Sequence, residues 1–279
     1  MGAKSEEIAF TKMTGTGNDF IVFDNRPRLF SGEESTFFHE ICQRRTSIGA
    51  DGILLVEKGD SAPVRMRYFN SDGFESTMCG NGARCAAYFA WKKRMVPDRS
   101  LLLEALDGVH RVIVEGERIT LEMARPHGFR SKPGILRESE FTEGGFIDTG
   151  VPHYVVFVQD VEKVDVDNLG SFYRNHDTFV QGTNVNFVQL LGKSRIRVRT
   201  YERGVEEETL SCGTGCVASS LIASNHHGYT SPVTVLAHGG RLTVQFDEAW
   251  ENIFLIGPVE IVYEGILIRR SLSDADGYC

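Results

Sequence analysis

The segment Met78-Cys79-Gly80-Asn81-Gly82-Ala83-Arg84-Cys85 returns in modified form 133 residues later, as Cys212-Gly213-Thr214-Gly215-Cys216. Each copy is preceded by a strand-like stretch that opens with an arginine, Arg67 in the first copy and Arg199 in the second. The arginine lies 12 residues before the cysteine in one copy and 13 residues before it in the other. The repeat therefore predicts two domains related by a pseudo-twofold axis, each carrying one Cys-Gly-x-Gly loop.

The residues that follow each cysteine predict a buried helix. Residues 80–91 and 213–223 are small or apolar on nearly every face, whereas a surface helix is amphipathic. Two shorter helices are predicted, one from Ser31 to Arg45, opened by a capping box with Glu34, and one over about 165–175. Residues that alternate between apolar and polar predict strands joined by tight hairpins at 101–106, 109–115 and 118–123. Tight hairpins beside few helices favour an α+β fold with mostly antiparallel sheets.

The composition of the chain argues against several classes of protein. The chain has 279 residues, 41% hydrophobic and 24% charged, as in a globular protein. Its formal net charge of −8 argues against nucleic acid or an anionic membrane as partner. No apolar run reaches the ~18 residues that span a bilayer, and the polar start of the chain does not look like a secretory signal. Six cysteines are too sparse for a disulfide scaffold, so we expect a cytoplasmic protein with free thiols.

The Cys-Gly-x-Gly loop has a chemistry of its own. A cysteine at a helix start lies beside unpaired backbone amides and the positive end of the helix dipole. This environment is expected to lower the thiol pKa from about 8.5 towards neutrality, and it also suits a carboxylate. For either loop alone, an inert buried cysteine in a tight turn is the alternative interpretation.

Two such loops facing one cleft indicate a more specific reaction. A carboxylate held across both helix ends would place one sulfur on each side of its α-carbon. A thiolate on one face and a thiol on the other are what inversion at carbon requires, with no need for a metal or pyridoxal phosphate. The other cysteines lack zinc-site or thioredoxin spacing; Cys42, Cys85 and Cys216 are predicted to be core residues and Cys279 a terminal thiol.

A series of short motifs runs along the chain: Lys12-Met-Thr-Gly-Thr-Gly-Asn-Asp-Phe20, Ile48-Gly-Ala-Asp-Gly52, Phe69-Asn-Ser-Asp-Gly73, Met78–Cys85, Gly150-Val-Pro-His153, Thr183-Asn-Val-Asn-Phe187, Tyr201-Glu-Arg-Gly204 and Cys212–Gly215. In this order the motifs resemble those of the diaminopimelate epimerase family. The resemblance implies a cofactor-independent enzyme of lysine and peptidoglycan biosynthesis that epimerises LL-diaminopimelate to meso-diaminopimelate.

The resemblance also implies an architecture. Each domain would wrap a sheet around a central helix, the C-terminal strand would return to the first domain, and the protein would be a homodimer. The implied domains are residues 1–124 plus 265–279, carrying Cys79, and residues 125–264, carrying Cys212.

By the same resemblance, Cys79 and Cys212 are the acid/base pair, with His153 and Glu202 beside them. The implied substrate-binding residues, besides Glu202, are Asn18, Asn70, Gly80, Asn81, Asn184, Arg203, Gly213 and Thr214. Arg203 is the natural anchor for a distal carboxylate because its guanidinium can bind in a bidentate manner. The alternative for His153 is a turn residue that follows Pro152.

Two departures from the family pattern bear on the substrate. Val151 stands where the family often has an asparagine that contacts substrate, and the stretch from Glu202 to Cys212 is one residue longer than is common. A related two-cysteine racemase acting on another amino acid is therefore the alternative function. A non-catalytic relative would have lost one cysteine, and both are present.

Overall fold

The computed structural model describes residues 5–131, 135 and 143–270, and the chain within these ranges forms two halves. The strands of the first half are β1 Ser5–Gly15, β2 Asn18–Asp24, β3 Gly52–Glu57, β4 Val64–Asn70, β5 Glu75–Ser76, β6 Ser100–Ala105, β7 Gly108–Glu115 and β8 Arg118–Glu122. Its helices are α1 Ser35–Cys42 and α2 Gly80–Lys92.

From its second strand onward, the second half repeats this order of elements. Its strands are β9 His127–Arg130, β10 Glu143–Asp148, β11 Pro152–Phe157, β12 Asn184–Leu190, β13 Arg195–Glu202, β14 Glu207–Thr209, β15 Val233–Ala237, β16 Gly240–Phe246 and β17 Ile253–Pro258. Its helices are α3 Val166–Arg174 and α4 Gly213–His227, with a 3₁₀ turn at Val161–Lys163. The last described strand is β18 Glu260–Arg270.

Strand pairing follows the same pattern in both halves. In the first half β2 pairs with β3 and β4 with β6 in parallel, and the remaining pairs are antiparallel. In the second half β11–β12 and β13–β15 are the corresponding parallel pairs. Antiparallel pairing of β8 with β17 joins the halves. The predicted α+β class with mostly antiparallel sheets is confirmed, and the two halves repeat one topology.

Helices α2 and α4 are the buried centres of the two halves. All residues from Gly80 to Ala90 are buried, as are all residues from Gly213 to Ala223. Small side chains such as Ala86 and Ala218 allow strands to approach the helix closely from several sides. The buried apolar side chains of both helices belong to one continuous core that crosses between the halves.

The shorter elements agree with the prediction in part. The hairpins β6–β7 and β7–β8 form, and helix α3 covers the expected segment. The capping box at Ser31 is wrong, because the first helix starts only at Ser35. The carboxylate of Glu34 accepts bonds from the amides of Ser31 and Gly32, 2.9 and 2.8 Å long, which stabilise a separate turn before the helix.

The last described strand runs back across the first half. Strand β18 pairs with β1 along its whole length, from Glu260 opposite Thr14 to Arg270 opposite Ser5. The division into residues 1–124 plus 265–279 and residues 125–264 stays a prediction, and Cys279 lies outside the described residues. No helix among the described residues is long and apolar enough to cross a membrane.

Candidate active site

The N-termini of α2 and α4 meet between the two halves. Cys79 and Cys212 occupy equivalent positions, since each is the extended residue that caps its helix. A Cβ atom built on Gly213 would lie 3.6 Å from the Cα of Gly80 and 3.0 Å from a methyl group of Leu255. The glycine after each cysteine therefore allows the two helix ends to pack backbone against backbone, which brings the two cysteines to one place.

A cavity of about 140 Å³ opens at this junction. Eleven of the twelve predicted site residues line it: Asn18, Asn70, Cys79, Gly80, Asn81, Asn184, Glu202, Arg203, Cys212, Gly213 and Thr214. His153, the twelfth, is fully buried and lies behind Thr214. A larger cavity of about 770 Å³ shares Asn18, Cys79 and Glu202 with the first and extends to Arg44 and Arg45.

Cys79 is half-buried and has an amide donor. The backbone N–H of Gly82 donates to its Sγ over 3.4 Å. Burial raises the pKa of the Cys79 thiol to about 11, and the carboxylate of Glu202 acts in the same direction, while the Gly82 amide and the Arg84 guanidinium oppose the rise. The expected lowering of this pKa is therefore wrong for the protein without substrate, because desolvation outweighs the favourable dipole and hydrogen bond.

Cys212 is more deeply buried and contacts a hydroxyl. Its Sγ lies 3.4 Å from Oγ1 of Thr214, and that oxygen lies 2.9 Å from Nε2 of His153. Burial raises the pKa of Cys212 well above its usual value, and the nearby Glu202 raises it further. The second loop thus presents a protonated thiol backed by a hydroxyl and an imidazole.

The protonation of His153 follows from its neighbours. Asn186 donates its Nδ2 to Nδ1 of His153 over 3.1 Å and to the carbonyl of Tyr154 over 3.2 Å, while its Oδ1 accepts from Thr200 over 3.0 Å. Nδ1 is therefore the acceptor nitrogen, and Nε2 carries the proton and donates to Thr214. Burial, together with the positive charge of Arg203, lowers the pKa of His153 to about 3, so the ring is neutral.

Asn184, Glu202 and Arg203 line a further part of the cavity. Asn184 accepts the backbone N–H of Arg203 over 2.9 Å and donates to the carbonyl of Pro152 over 3.0 Å. The guanidinium of Arg203 donates to the carbonyl of Gln181 over 2.9 Å and keeps other N–H groups for a ligand. Glu202 accepts the hydroxyl of Thr209 over 3.0 Å, and burial raises the pKa of its carboxyl.

Several lining or supporting residues were missed by sequence reasoning. Tyr68, Met78 and Val205 line the cavity, and Val151 lines it where a polar contact is common in the family pattern. Asn186, which orients His153, could have been found, because it follows Asn184 by two residues and so points to the same face of β12. Within the described ranges, no group of three or more His, Cys, Asp or Glu side chains is placed to hold a metal ion.

Comparison with known proteins extends the family resemblance to nearly the whole chain. The family model for diaminopimelate epimerase matches residues 10–127 and 145–262. The diaminopimelate epimerase of Flavobacterium psychrophilum is 40% identical over 260 residues, covering 91% of this chain and 97% of that protein. The diaminopimelate epimerase of Aquifex aeolicus is 41% identical over 281 residues, covering 95% of this chain and all of that protein.

Solved structures share the fold at much lower identity. A phenazine biosynthesis protein of the PhzF family from Bacillus anthracis superposes with a TM-score of 0.76 at 17% identity, covering 95% of this chain and 100% of that one. A hydroxyproline epimerase from Agrobacterium vitis superposes with a TM-score of 0.73 at 14% identity, covering 98% of this chain and 94% of that one. At these identities the likeness concerns the fold alone.

Proposed function

The chain belongs to the diaminopimelate epimerase family and is an isomerase, and we propose that it inverts the α-carbon of LL-diaminopimelate, giving meso-diaminopimelate, between Cys79 and Cys212. The observation that carries this assignment is the meeting of two helix N-termini, each capped by a cysteine. The substrate α-carboxylate lies across the two helix ends, where backbone amides and the positive ends of two helix dipoles stabilise negative charge.

The reaction is a proton transfer at each face of one carbon. One cysteine, as thiolate, takes the α-proton and becomes a thiol, while the electron pair of the C–H bond delocalises into the carboxylate. The opposite cysteine, as thiol, gives its proton to the other face and becomes the thiolate. Nothing is oxidised or reduced. The amides of the helix ends stabilise the carbanion because they already point at the carboxylate before it gains charge.

Substrate binding supplies a positive charge near the two sulfurs. The pKa of each thiol is raised in the protein alone, chiefly by burial, so both are largely protonated near neutral pH. The α-ammonium of the substrate brings a positive charge to within a few ångströms of the sulfurs. An opposite charge at that distance favours a thiolate, and we propose that one thiol loses its proton to solvent as substrate binds.

We assign the second carboxylate of the substrate to the part of the cavity that Arg203 lines. Arg203 has N–H groups left to bind the second carboxylate, with Asn18, Asn70 and Asn184 around it. Val151 contributes an apolar surface in the same cavity. A related racemase that acts on another amino acid remains the alternative, since Val151 is the residue that departs from the family pattern.

The cellular context is proposed on the same basis. An enzyme that forms meso-diaminopimelate belongs to lysine biosynthesis, and we place it in the cytoplasm, where thiols such as Cys79 stay reduced. We propose that it works without metal or pyridoxal phosphate, because the two cysteines supply both proton-transfer groups. Epimerisation should then survive a chelator and hydroxylamine; loss of activity that zinc or pyridoxal phosphate restores would contradict this.

We also propose a homodimer, supported by an exposed apolar stripe on β18. Val262, Ile266 and Ile268 are 53%, 63% and 60% exposed. A groove of about 450 Å³ lies beside the stripe, lined in part by Phe10 and Phe89. Exposed apolar surface of this kind is typical of an interface. Sedimentation velocity would show a dimer that Ile266→Lys converts to monomer; a wild-type monomer at micromolar concentration would contradict it.

The direct test of function is hydrogen exchange in D₂O. Purified protein is incubated with LL-diaminopimelate and, separately, with a panel of other amino acids, and loss of the α-proton is followed by NMR. Exchange that is far faster with diaminopimelate than with any other amino acid is the expected result. Exchange confined to another amino acid would replace the proposed substrate and keep the proposed chemistry, whereas no exchange with any of them would overturn both.

A further inference from the structure

Arg84 is a buried cation that the mechanism above does not use. It lies in the second turn of α2, and its side chain is 0% exposed. Its guanidinium donates to the Gly80 carbonyl at 3.2 Å, the Asn81 side-chain oxygen at 2.8 Å and the Thr16 hydroxyl at 3.0 Å. Among the described residues it forms no ion pair, and its Nε has no hydrogen-bond partner.

Helix packing does not require an arginine at this position. Arg84 stands five residues after Cys79, and the residue five after Cys212 is Val217, which is fully buried in α4. The two helices occupy equivalent places in two matching halves, so the fold accepts an apolar side chain here. Gly257 of β17 packs against the guanidinium: a Cβ atom there would lie 3.2 Å from Nε and 3.3 Å from Cζ, and closer still to the side chain of Leu242.

Burying an unpaired guanidinium is unfavourable, since arginine keeps its charge at any ordinary pH. The same region contains the positive ends of two helix dipoles. Three sources of positive charge thus converge with no carboxylate in contact with the guanidinium in the described part of the chain. They are balanced once an anion occupies the site.

The contacts of Arg84 lead directly to the catalytic loop. By binding Oδ1 of Asn81, the guanidinium leaves Nδ2 of that amide to donate to Asn18 and to the carbonyl of Ser211, which is 3.1 Å away. Asn18 and Asn81 line the cavity, and Ser211 precedes Cys212. One side chain therefore links the α2 loop, the turn between β1 and β2 and the loop of the second half.

We propose that Arg84 is a positioning residue of the active site, which orients Asn81 across the junction of the halves and supplies the buried positive charge that a thiolate at Cys79 and a bound carboxylate require. The proposal rests on the proposed role of Cys79. The charged and titratable groups that act on Arg84 are Cys79 and Cys85 of its own helix and Cys216 of α4. Glu202 of β13 also acts on Cys79, and its charge opposes the effect of Arg84.

The test separates charge from geometry with two variants. Arg84→Met removes the charge at similar volume, and Arg84→Lys keeps a charge but loses the forked contacts. The first readout needs no substrate: the rate at which iodoacetamide alkylates each cysteine at pH 8 to 10, resolved by peptide mass spectrometry. We expect Arg84→Met to slow Cys79 about tenfold, equivalent to one pKa unit, and to slow Cys212 less. Arg84→Lys should keep the Cys79 rate within about twofold of wild type.

The second readout is epimerisation, with the unfolding midpoint measured for every variant. Both substitutions should lower kcat at least about tenfold, because both release the Asn81 amide, and Arg84→Met should lower it more. Thr16→Val, which deletes one hydrogen bond of the guanidinium and leaves its charge, is the matched control and should lower kcat by less than either. If Arg84→Met does not fold, Arg84→Lys and Thr16→Val decide the positioning role through kcat, and alkylation in Arg84→Gln decides the charge role.

Two results would overturn the proposal. One is alkylation of Cys79 at the wild-type rate in folded Arg84→Met; the other is a wild-type kcat in Arg84→Lys. Failure of the proposed function looks different, because wild-type protein would then not exchange the α-proton of diaminopimelate, whereas the alkylation rates would still report on Arg84.

Discussion

The loops of Cys79 and Cys212 have similar backbone conformations but differ in most of the contacts that set the protonation of their sulfurs. The Cys79 sulfur accepts an amide and is half-buried, with a buried guanidinium one turn further along the helix. The Cys212 sulfur contacts the Thr214 hydroxyl, which a neutral His153 supports from behind. Inversion at carbon needs a base and an acid at the same time, so the two sulfurs must differ in protonation when substrate is bound. Substitutions in each loop test that division.

The largest effect is expected from removing either sulfur. Cys79→Ala and Cys212→Ala should each reduce net epimerisation by at least about 10²–10⁴-fold, the range that general acid–base catalysis contributes. The remaining cysteine reaches one face of the α-carbon, so each variant can still exchange the α-proton of one stereoisomer without inverting it. Chiral chromatography measures inversion, and NMR in D₂O measures exchange.

The matched control for the cysteine variants is Cys85→Ala. Cys85 is a fully buried core thiol in the same helix as the Cys79 loop, and burial raises its pKa to about 12. Its removal should leave epimerisation within a few-fold of wild type. Full epimerisation by Cys79→Ala or by Cys212→Ala would refute the two-base assignment.

Mild oxidation should reduce epimerisation nearly as much as removing a cysteine does, but reversibly. Two sulfurs that flank one carbon lie within reach of a disulfide after slight closure, since a disulfide needs Cα atoms about 4.4–6.8 Å apart. Mild oxidation of the substrate-free protein should join Cys79 to Cys212 and stop epimerisation, a thiol reductant should restore it, and bound substrate should protect. Peptide mapping identifies the bond; a Cys79–Cys85 or Cys212–Cys216 crosslink would mean that the loops do not face each other.

A smaller effect is expected at the distal end of the substrate. Arg203→Lys keeps the charge and loses the bidentate geometry, which should weaken transition-state stabilisation by roughly 1.5–3 kcal/mol, about 10- to 150-fold in kcat/KM. The measurement compares diaminopimelate with L-lysine, which lacks the distal carboxylate, by α-proton exchange. The penalty should nearly vanish for lysine. An equal loss for both compounds would place Arg203 outside the substrate contacts.

The smallest effect on kcat is expected from removing the neutral hydrogen bonds of the hydroxyl beside the Cys212 sulfur. Thr214→Val keeps the side-chain shape and deletes the hydroxyl between His153 and the sulfur, which should cost about 0.5–1.5 kcal/mol, or about 2- to 13-fold in kcat. Ser220→Ala is the matched control, because that buried hydroxyl of α4 bonds only within its helix in the described contacts, to the Cys216 carbonyl at 2.8 Å. Equal kcat losses in the two variants would show that the hydroxyl stabilises only the helix.

Much of the molecule could be predicted from its residues. The repeat of Cys-Gly-x-Gly predicted two similar halves, and the small and apolar residues after each cysteine predicted buried helices, as observed in α2 and α4. These predictions depend on local properties: glycine permits close backbone approach, and an all-apolar helix must be buried. The start of the first helix was misplaced because the contacts between Glu34 and Ser31 stabilise a turn before the helix, which begins only at Ser35.

The proton chemistry of the site was decided only by the tertiary structure. Sequence placed each thiol at a helix N-terminus and so predicted a lowered pKa, whereas the closely packed halves bury both sulfurs and raise their pKa values. Likewise, the tautomer of His153 depends on Asn186, and the contacts of Arg84 depend on Thr16, residues distant from each loop along the chain. The effect of a helix dipole is local, so a short motif is enough to predict it. Desolvation depends on every neighbour that folding brings near the group, and no short segment specifies those neighbours.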